Sequence, residues 1–144
     1  MSRFRKSGLA SARTRSGDEV VGTRDALVLP GRQIPWERIL RADWDSEAEV
    51  LRVVLVEPEV VDLELEEPAL LLQLVRERVT ASIVLTRRVP VDGDLGLVLM
   101  ARRPPRGGEI TLTFEYDRGL DPDAPDVRDV ALAAARAARD DLGL

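Results

Sequence analysis

The sequence predicts an α+β domain: an antiparallel sheet or partly open barrel of about seven or eight strands, one internal helix and one C-terminal helix. The chain has 144 residues, of which 44% are hydrophobic, and this is enough for one ordinary domain with a buried core. Short apolar runs alternate with polar residues and end at turn residues, which is typical of strands. Successive strands follow each other after short turns, and this favours antiparallel pairing over a wound parallel sheet.

Five strands are predicted before the first helix. The alternation is clearest in the fifth, where Val61, Leu63 and Leu65 take turns with acidic residues, so that one face is buried and the other is acidic. Turn residues such as Pro30-Gly31 separate the runs. The predicted strands occupy residues 26–29, 32–34, 38–43, 49–56 and 61–65.

An internal helix is predicted over residues 68–79. Glu66 and Glu67 precede it, where acids stabilise the positive end of the helix dipole, and Pro68 suits the first turn. The helix is expected to end near Thr80, where β-branched residues begin. Its core-facing side is predicted to consist of Leu71, Leu72, Leu74, Val75 and Val79.

Three further strands and a second helix complete the predicted fold. The strands occupy residues 82–91, 95–103 and 109–116, and Asp92-Gly93 marks a hairpin turn because it supplies positive φ. In the last strand, Ile110, Leu112, Phe114 and Tyr116 lie on one face. The C-terminal helix is predicted over residues 123–142, with Asp123 as the N-cap. Its buried stripe is Val127, Val130, Ala131, Ala134, Ala138 and Leu142.

The charge distribution predicts a basic, flexible tail over residues 1–22 and a single domain over residues 23–144. The first 17 residues contain five basic residues, Arg3, Arg5, Lys6, Arg13 and Arg15, and all 26 acidic residues lie beyond them. A polyanion-binding arm is one interpretation. A solvated terminus that folds back on the acidic body is favoured, because that body repels polyanions.

The segment 26–45 resembles bacterial pleckstrin-homology-like (GRAM-like) domains, through Ile34, Pro35, Trp36, Ile39, Trp44 and Asp45. In that fold a terminal helix closes one end of a bent sheet. The whole chain also resembles a set of short proteins from high-GC Gram-positive bacteria with no assigned activity, through residues 72–81 and the Phe114-Glu-Tyr-Asp117 ending. The internal helix interrupts the strand series and makes the chain a variant of the fold. Such domains bind lipids, peptides or proteins, so the resemblance implies binding without choosing a ligand.

Composition argues against most catalytic chemistry. The chain has no cysteine and no histidine, which excludes disulfides, thiolate zinc sites and cysteine nucleophiles, and removes the commonest general base. The acids from Asp43 to Glu49 resemble the start of a calcium loop, but Ala48 and Val54 stand where the glycine and the bidentate glutamate are needed. We therefore assign no catalytic, cofactor-binding or metal-ligating residue and expect no cofactor.

Other charged and aromatic groups have two interpretations each. Asp121, Asp123 and Asp126 are a cation cluster or, more simply, helix N-terminal acids. The acids Glu57, Glu59, Asp62, Glu64 and Glu66 are a catalytic carboxylate pair or, strongly favoured, a solvated face. The arginines Arg87, Arg88, Arg102, Arg103 and Arg106 are an anion-binding edge or, more simply, edge protection. Trp36 is an exposed anchor or, more simply, a core residue.

These observations predict a cytoplasmic, non-enzymatic protein-interaction module that uses a sheet edge or the groove beside the terminal helix to bind an unknown protein partner. The alternative is binding to anionic lipid through the Arg-rich tail and the sheet edge. An enzyme that uses carboxylates is the weakest hypothesis. Nucleic-acid binding is not expected, because aromatic platforms among basic residues are missing. The sequence leaves the oligomeric state open.

Overall fold

The computed structural model describes residues 8–57 and 59–144, which fall into two compact units. The first unit comprises the described residues up to Ser82 together with Arg103–Glu109. The second comprises Ile83–Arg102 and Ile110–Leu144. The predicted single domain over residues 23–144 stays a prediction.

The first unit contains a seven-stranded antiparallel sheet and a helix. The strand order is β4-β3-β2-β1-β7-β6-β5, and the sheet is not closed because β4 and β5 are its end strands. The helix α1 spans Ala69–Ser82. The strands are β1 Gly8–Thr14, β2 Glu19–Thr23, β3 Ala26–Leu29, β4 Arg32–Pro35, β5 Ile39–Asp45, β6 Val50–Leu55 and β7 Val60–Glu66.

The predicted flexible tail is wrong for residues 8–22, because β1 and most of β2 lie there. The inner face of β1 is made of small residues, Ala10 and Ala12, whose apolar signal is weak. The strand is held by pairing with β2 and with the distant β7. With these two strands the described residues contain ten strands, compared with the seven or eight predicted. Arg3, Arg5 and Lys6 lie outside the described residues.

The helix α1 packs on this sheet as its spacing predicted. Leu71, Leu74, Val75 and Val79 are buried, and Leu72 is partly buried. The predicted end at residue 79 is wrong, because the helix continues to Ser82, whose buried hydroxyl donates to the Val79 carbonyl at 2.6 Å. β-branched residues lower helix propensity only slightly, and packing of α1 outweighs this.

The second unit contains a three-stranded antiparallel sheet in the order β10-β9-β8. Its strands are β8 Ile83–Asp92, β9 Leu95–Arg102 and β10 Thr111–Tyr116. The helix α2 spans Pro125–Asp141 and buries Val127, Ala131, Ala134 and Ala138. The α+β class with an internal and a C-terminal helix is thus confirmed.

The start of α2 differs from the prediction. Ala124, and not Asp123, is the N-cap, and it makes no side-chain capping bond. Asp123 lies in the preceding turn, where its backbone N–H donates to the Asp121 carboxylate at 2.9 Å. Pro125 occupies the first turn, which suits proline because no intrahelical N–H bond is lost there.

Candidate functional site

The strand β10 is an end strand of the second unit. It pairs with β9 along its whole length, with Leu112 opposite Ala101, Phe114 opposite Leu99 and Tyr116 opposite Leu97. In the described part of the chain, β9 is its only strand neighbour. An end strand carries one row of backbone groups that point away from the sheet.

The hydrogen bonds at the end of β10 show which residues form this row. The Asp117 N–H donates to the Gly96 carbonyl at 2.9 Å, so this pair is bonded across to β9. Bonded and non-bonded pairs alternate in an antiparallel ladder. Thr113 and Glu115 therefore direct their N–H and C=O groups to β9. Leu112, Phe114 and Tyr116 direct theirs to the other side, which we call the outer edge of β10.

The same three residues place their side chains on the α2 side of the sheet. All three are half-buried and pack against the cluster formed by Leu97, Leu99, Ala131 and Ala138. The helix makes its main contacts with β8 and β9. Leu112, Phe114 and Tyr116 thus combine outward backbone groups with partly exposed apolar side chains.

An ion pair fixes α2 on the side away from β10. Arg87 of β8 donates to the Asp141 carboxylate near the end of α2 at 2.8 Å. These residues are 54 positions apart in the chain, so the sequence pattern could not pair them. The helix α2 therefore contacts β8 and β9 and covers β10 less.

Asp117 fixes the C-terminal end of β10. Its carboxylate accepts from Arg88 at 2.6 Å and from the Gly96 N–H at 2.9 Å. The hydrogen bonds from Arg88 and then from Gly96 lower the pKa of Asp117, so the carboxylate stays ionised. A Cβ at Gly96 would lie 2.5 Å from the Val89 carbonyl oxygen, so this close approach requires glycine. These contacts hold the C-terminal end of β10 in register with β9.

Tyr116 lies beside the acidic start of α2. Burial, and then the charge of Asp123, raise the pKa of the Tyr116 hydroxyl. The phenol is therefore neutral at physiological pH and can donate a hydrogen bond. The ring of Tyr116 lies 6.2 Å from that of Phe114, centroid to centroid. Both aromatic residues are accessible to a molecule on the outer edge.

The predicted arginine edge is largely paired with carboxylates. Arg87 and Arg88 are engaged as described, and Arg106 donates to Asp25 at 3.0 Å within the first unit. Arg102 is only 1% exposed, and burial lowers its pKa. Arg103 is exposed. The structure does not bring the five arginines to one edge: Arg87 and Arg88 lie on the end strand β8, whereas Arg102 is buried on the central strand β9 and Arg106 belongs to the first unit.

The anchor hypothesis for Trp36 is wrong. Trp36 is 0% exposed, and its indole N–H donates to the Thr23 carbonyl at 2.9 Å. It opens a 3-10 turn, Trp36–Arg38, that joins β4 to β5. Trp44 is half-buried and packs against the same core.

The acidic face of the first unit is matched by arginines. Arg32 pairs with Glu59 at 2.6 Å, Arg52 with Asp62 at 2.9 Å and Arg15 with Glu64 at 2.8 Å. Arg38 pairs with Glu57. The hydrogen bonds from Arg38, Arg32 and Arg52 lower the pKa of Glu57, Glu59 and Asp62, respectively. The sequence favoured a solvated face, but it did not predict that arginines pair with these acids.

An open acidic cleft of about 670 Å³ lies on the same unit. Arg13 stands in it directly between Glu19 and Glu66 of the neighbouring strands, and Glu49 and Glu67 also line it. Within the described residues, no group of three or more acids is arranged to hold a metal ion. The predicted calcium-like segment forms a turn, in which Asp45 accepts from the backbone N–H groups of Glu47 and Ala48.

Comparison with known proteins gives this chain no relative. No family model matches it. No curated protein matches it, and no solved structure does. Among the described helices, neither is long and apolar enough to cross a membrane.

Proposed function

We propose that this chain is a non-enzymatic protein-interaction module that binds an extended segment of a partner protein along the outer edge of β10. The proposal depends on three residues of β10, Leu112, Phe114 and Tyr116. Their backbone N–H and C=O groups point away from the sheet, and their half-buried apolar side chains lie on the α2 side. Strand addition uses these two components: main-chain hydrogen bonds supply affinity, and pockets for alternate side chains supply specificity.

The surroundings support strand addition in two ways. The end of β10 is fixed by Asp117, so the edge is ordered before a partner arrives, which lowers the entropy loss on binding. The helix α2 makes its main contacts with β8 and β9, which leaves the margin of the sheet at β10 less covered. The binding groove is thus bounded by β10 and by the β10-facing side of α2.

Proline substitution at Leu112 tests the proposal against a matched control. Leu112→Pro removes the N–H that points to the outer edge, while the ladder to β9 uses Thr113 and Glu115, and proline is tolerated at such edge positions. Leu112→Ala removes the same side chain and keeps the N–H. Both variants are compared by circular dichroism first, to establish that each is folded.

The assay is selection of binders from a display library of random 12-residue peptides on the full chain, followed by affinity measurement on both variants. We expect enriched peptides to bind Leu112→Pro at least about tenfold more weakly than Leu112→Ala, because a lost backbone bond leaves a buried acceptor in the partner. Failure to enrich any peptide, or equal affinity for the two variants, would contradict the proposal.

The resemblance to pleckstrin-homology-like domains is part of this proposal and concerns the first unit. Its seven antiparallel strands are followed by a helix that packs on them, whereas the resemblance implies that the terminal helix closes the sheet. Of the motif residues, Ile34, Trp36 and Ile39 are all in the core. The helix in this position is the internal α1 rather than the terminal α2. The cytoplasmic location and the absence of enzymatic activity remain predictions.

Binding to anionic lipid is the second candidate, and the arginine contacts give it less support. Arg13 and Arg15 of the predicted tail face or pair with glutamates, and Arg87, Arg88 and Arg106 pair with aspartates. A lipid headgroup would have to compete with these carboxylates. Sedimentation with vesicles of phosphatidylserine at low salt tests it, and strong salt-sensitive binding would favour this function over strand addition.

A further inference from the structure

The end of β10 at Tyr116 is acidic. Beyond it lie a short connection, residues 117–124, and the first turn of α2. The connection contains one basic residue, Arg118, and the charge of Asp123 contributes to the raised pKa of Tyr116. The acidic residues of the stretch are Asp117, Asp121, Asp123 and Asp126. Asp117 is engaged by Arg88, and the other three aspartates outnumber Arg118 and Arg128, the fourth residue of α2, so this end keeps a net negative charge.

The direction of an added strand follows from the sheet. All pairs in the second unit are antiparallel, and antiparallel pairing is slightly more stable than parallel pairing. A segment that adds to β10 in this way places its N-terminal end beside Tyr116. Basic residues at that end would therefore meet the aspartates of the connection and of α2.

The spacing of apolar positions in the partner also follows. Residues directly opposite each other in an antiparallel pair share one face of the sheet. The partner residues opposite Leu112, Phe114 and Tyr116 would thus lie on the α2 side and extend the apolar cluster there. The residues between them would lie on the other face, beside Thr113 and Glu115.

We infer that the partner segment at the outer edge of β10 is antiparallel, carries apolar residues at every second position, and has basic residues at its N-terminal end. This inference rests on the proposed function and specifies its partner. A second copy of this chain fits less well for two reasons. The residues where its β10 begins, Ile110 and Thr111, are not basic, and each copy has a net charge of −5.

Three synthetic eight-residue peptides with blocked termini and a fluorescent label test the inference. The first has two arginines followed by alternating valine and threonine. The second has the same residues with the arginines moved to the C-terminal end, and the third has two glutamates in place of the arginines. Affinity for the full chain is measured by anisotropy at low ionic strength. We expect the first to bind about fivefold more tightly than the second, since exposed ion pairs are weak individually, and the third to bind least.

Two charge variants locate the effect. Asp123→Asn should reduce the preference for the first peptide over the second by about twofold. The matched control, Asp140→Asn, removes the same charge from an exposed position near the other end of α2 and should leave the preference unchanged. An equal effect of both variants would mean that net charge rather than position is responsible, and would overturn the inference.

The remaining outcomes separate this inference from the proposed function. Equal binding of the first and second peptides overturns the partner chemistry alone. Binding of none of the three at millimolar concentration, together with an empty library selection, overturns strand addition itself. A dimer in sedimentation velocity that Leu112→Pro abolishes and Leu112→Ala retains would show that a second copy occupies the edge, and would also overturn the inference.

Discussion

The close approach of α1 to β2 predicts the effect of one added methyl group at Gly22. A Cβ at this position would lie 2.4 Å from Leu74 Cδ2 and 3.3 Å from Leu71 Cδ1. Carbon atoms in contact are about 3.5–4.0 Å apart, so Leu74 must move by more than 1 Å or change its rotamer. Overpacking of this kind costs about 1–3 kcal/mol, and replacing a strand glycine offsets about 0.5–1 kcal/mol of it. We expect Gly22→Ala to lower the free energy of unfolding by about 1–2 kcal/mol.

A double-mutant cycle with Leu74 identifies the cause. Leu74→Ala alone should cost about 2–5 kcal/mol, because it removes a buried side chain. In that background the space beside Gly22 is vacant, so Gly22→Ala should be neutral or stabilising. The two substitutions should therefore be coupled by at least about 1 kcal/mol.

Urea unfolding followed by tryptophan fluorescence is the assay. Both tryptophans lie in the first unit, and Trp36 donates to the carbonyl of Thr23, the residue after Gly22. Each of the four proteins in the cycle is measured under the same conditions. A Gly22→Ala cost that is the same with Leu74 or alanine would refute the contact as the cause. Stabilisation of the otherwise unchanged chain would refute the close approach itself.

Three further perturbations concern single contacts. Because the pKa of Asp117 is lowered in the folded state, its contribution to stability is present above the ordinary carboxyl value of 3.8 and is lost as the pH falls below it. Asp117→Asn should flatten this dependence in amide exchange of the second unit, and an unchanged acid profile would argue against the contact. Gly96→Ala places a methyl group 2.5 Å from the Val89 carbonyl oxygen, a backbone atom that no side-chain rotamer can move away. The free energy of unfolding, measured by thermal unfolding with circular dichroism, should fall by about 1–3 kcal/mol or more. An unchanged free energy would contradict this geometry. Trp36→Phe leaves the Thr23 carbonyl without its donor and should cost about 1–3 kcal/mol in urea unfolding followed by circular dichroism, whereas a neutral result would mean that the bond is not formed.

The contrast between β1 and β10 shows which strands a sequence can predict. In β10, large apolar residues alternate with polar ones, and the predicted face of Leu112, Phe114 and Tyr116 is confirmed. In β1 the inward positions hold Ala10 and Ala12, and alanine is too small to give the strong apolar alternation that marks a strand. That strand pairs mainly with the next strand, β2, and also with the distant β7, so it is stabilised by its neighbours rather than by an apolar pattern of its own.

Only the local features of the candidate site could be predicted from the sequence. Alternation predicted which residues of β10 share a face, and helical spacing predicted that Ala131, Ala134 and Ala138 of α2 are buried. Neither pattern shows which strands are neighbours in the sheet, so the sequence could not predict that β10 is an end strand. The Arg87–Asp141 and Arg88–Asp117 pairs also join distant segments, which is why these arginines were predicted as a group without their partners.

The central claim, an outer edge formed by alternate residues of β10, is tested most directly by hydrogen exchange measured for each backbone amide by NMR. The account predicts slow exchange at Thr113 and Glu115, which donate to β9, and fast exchange at Leu112, Phe114 and Tyr116. Equal protection at all five amides, or the opposite alternation, would contradict it. A peptide selected on the chain should then slow exchange at the three outward amides.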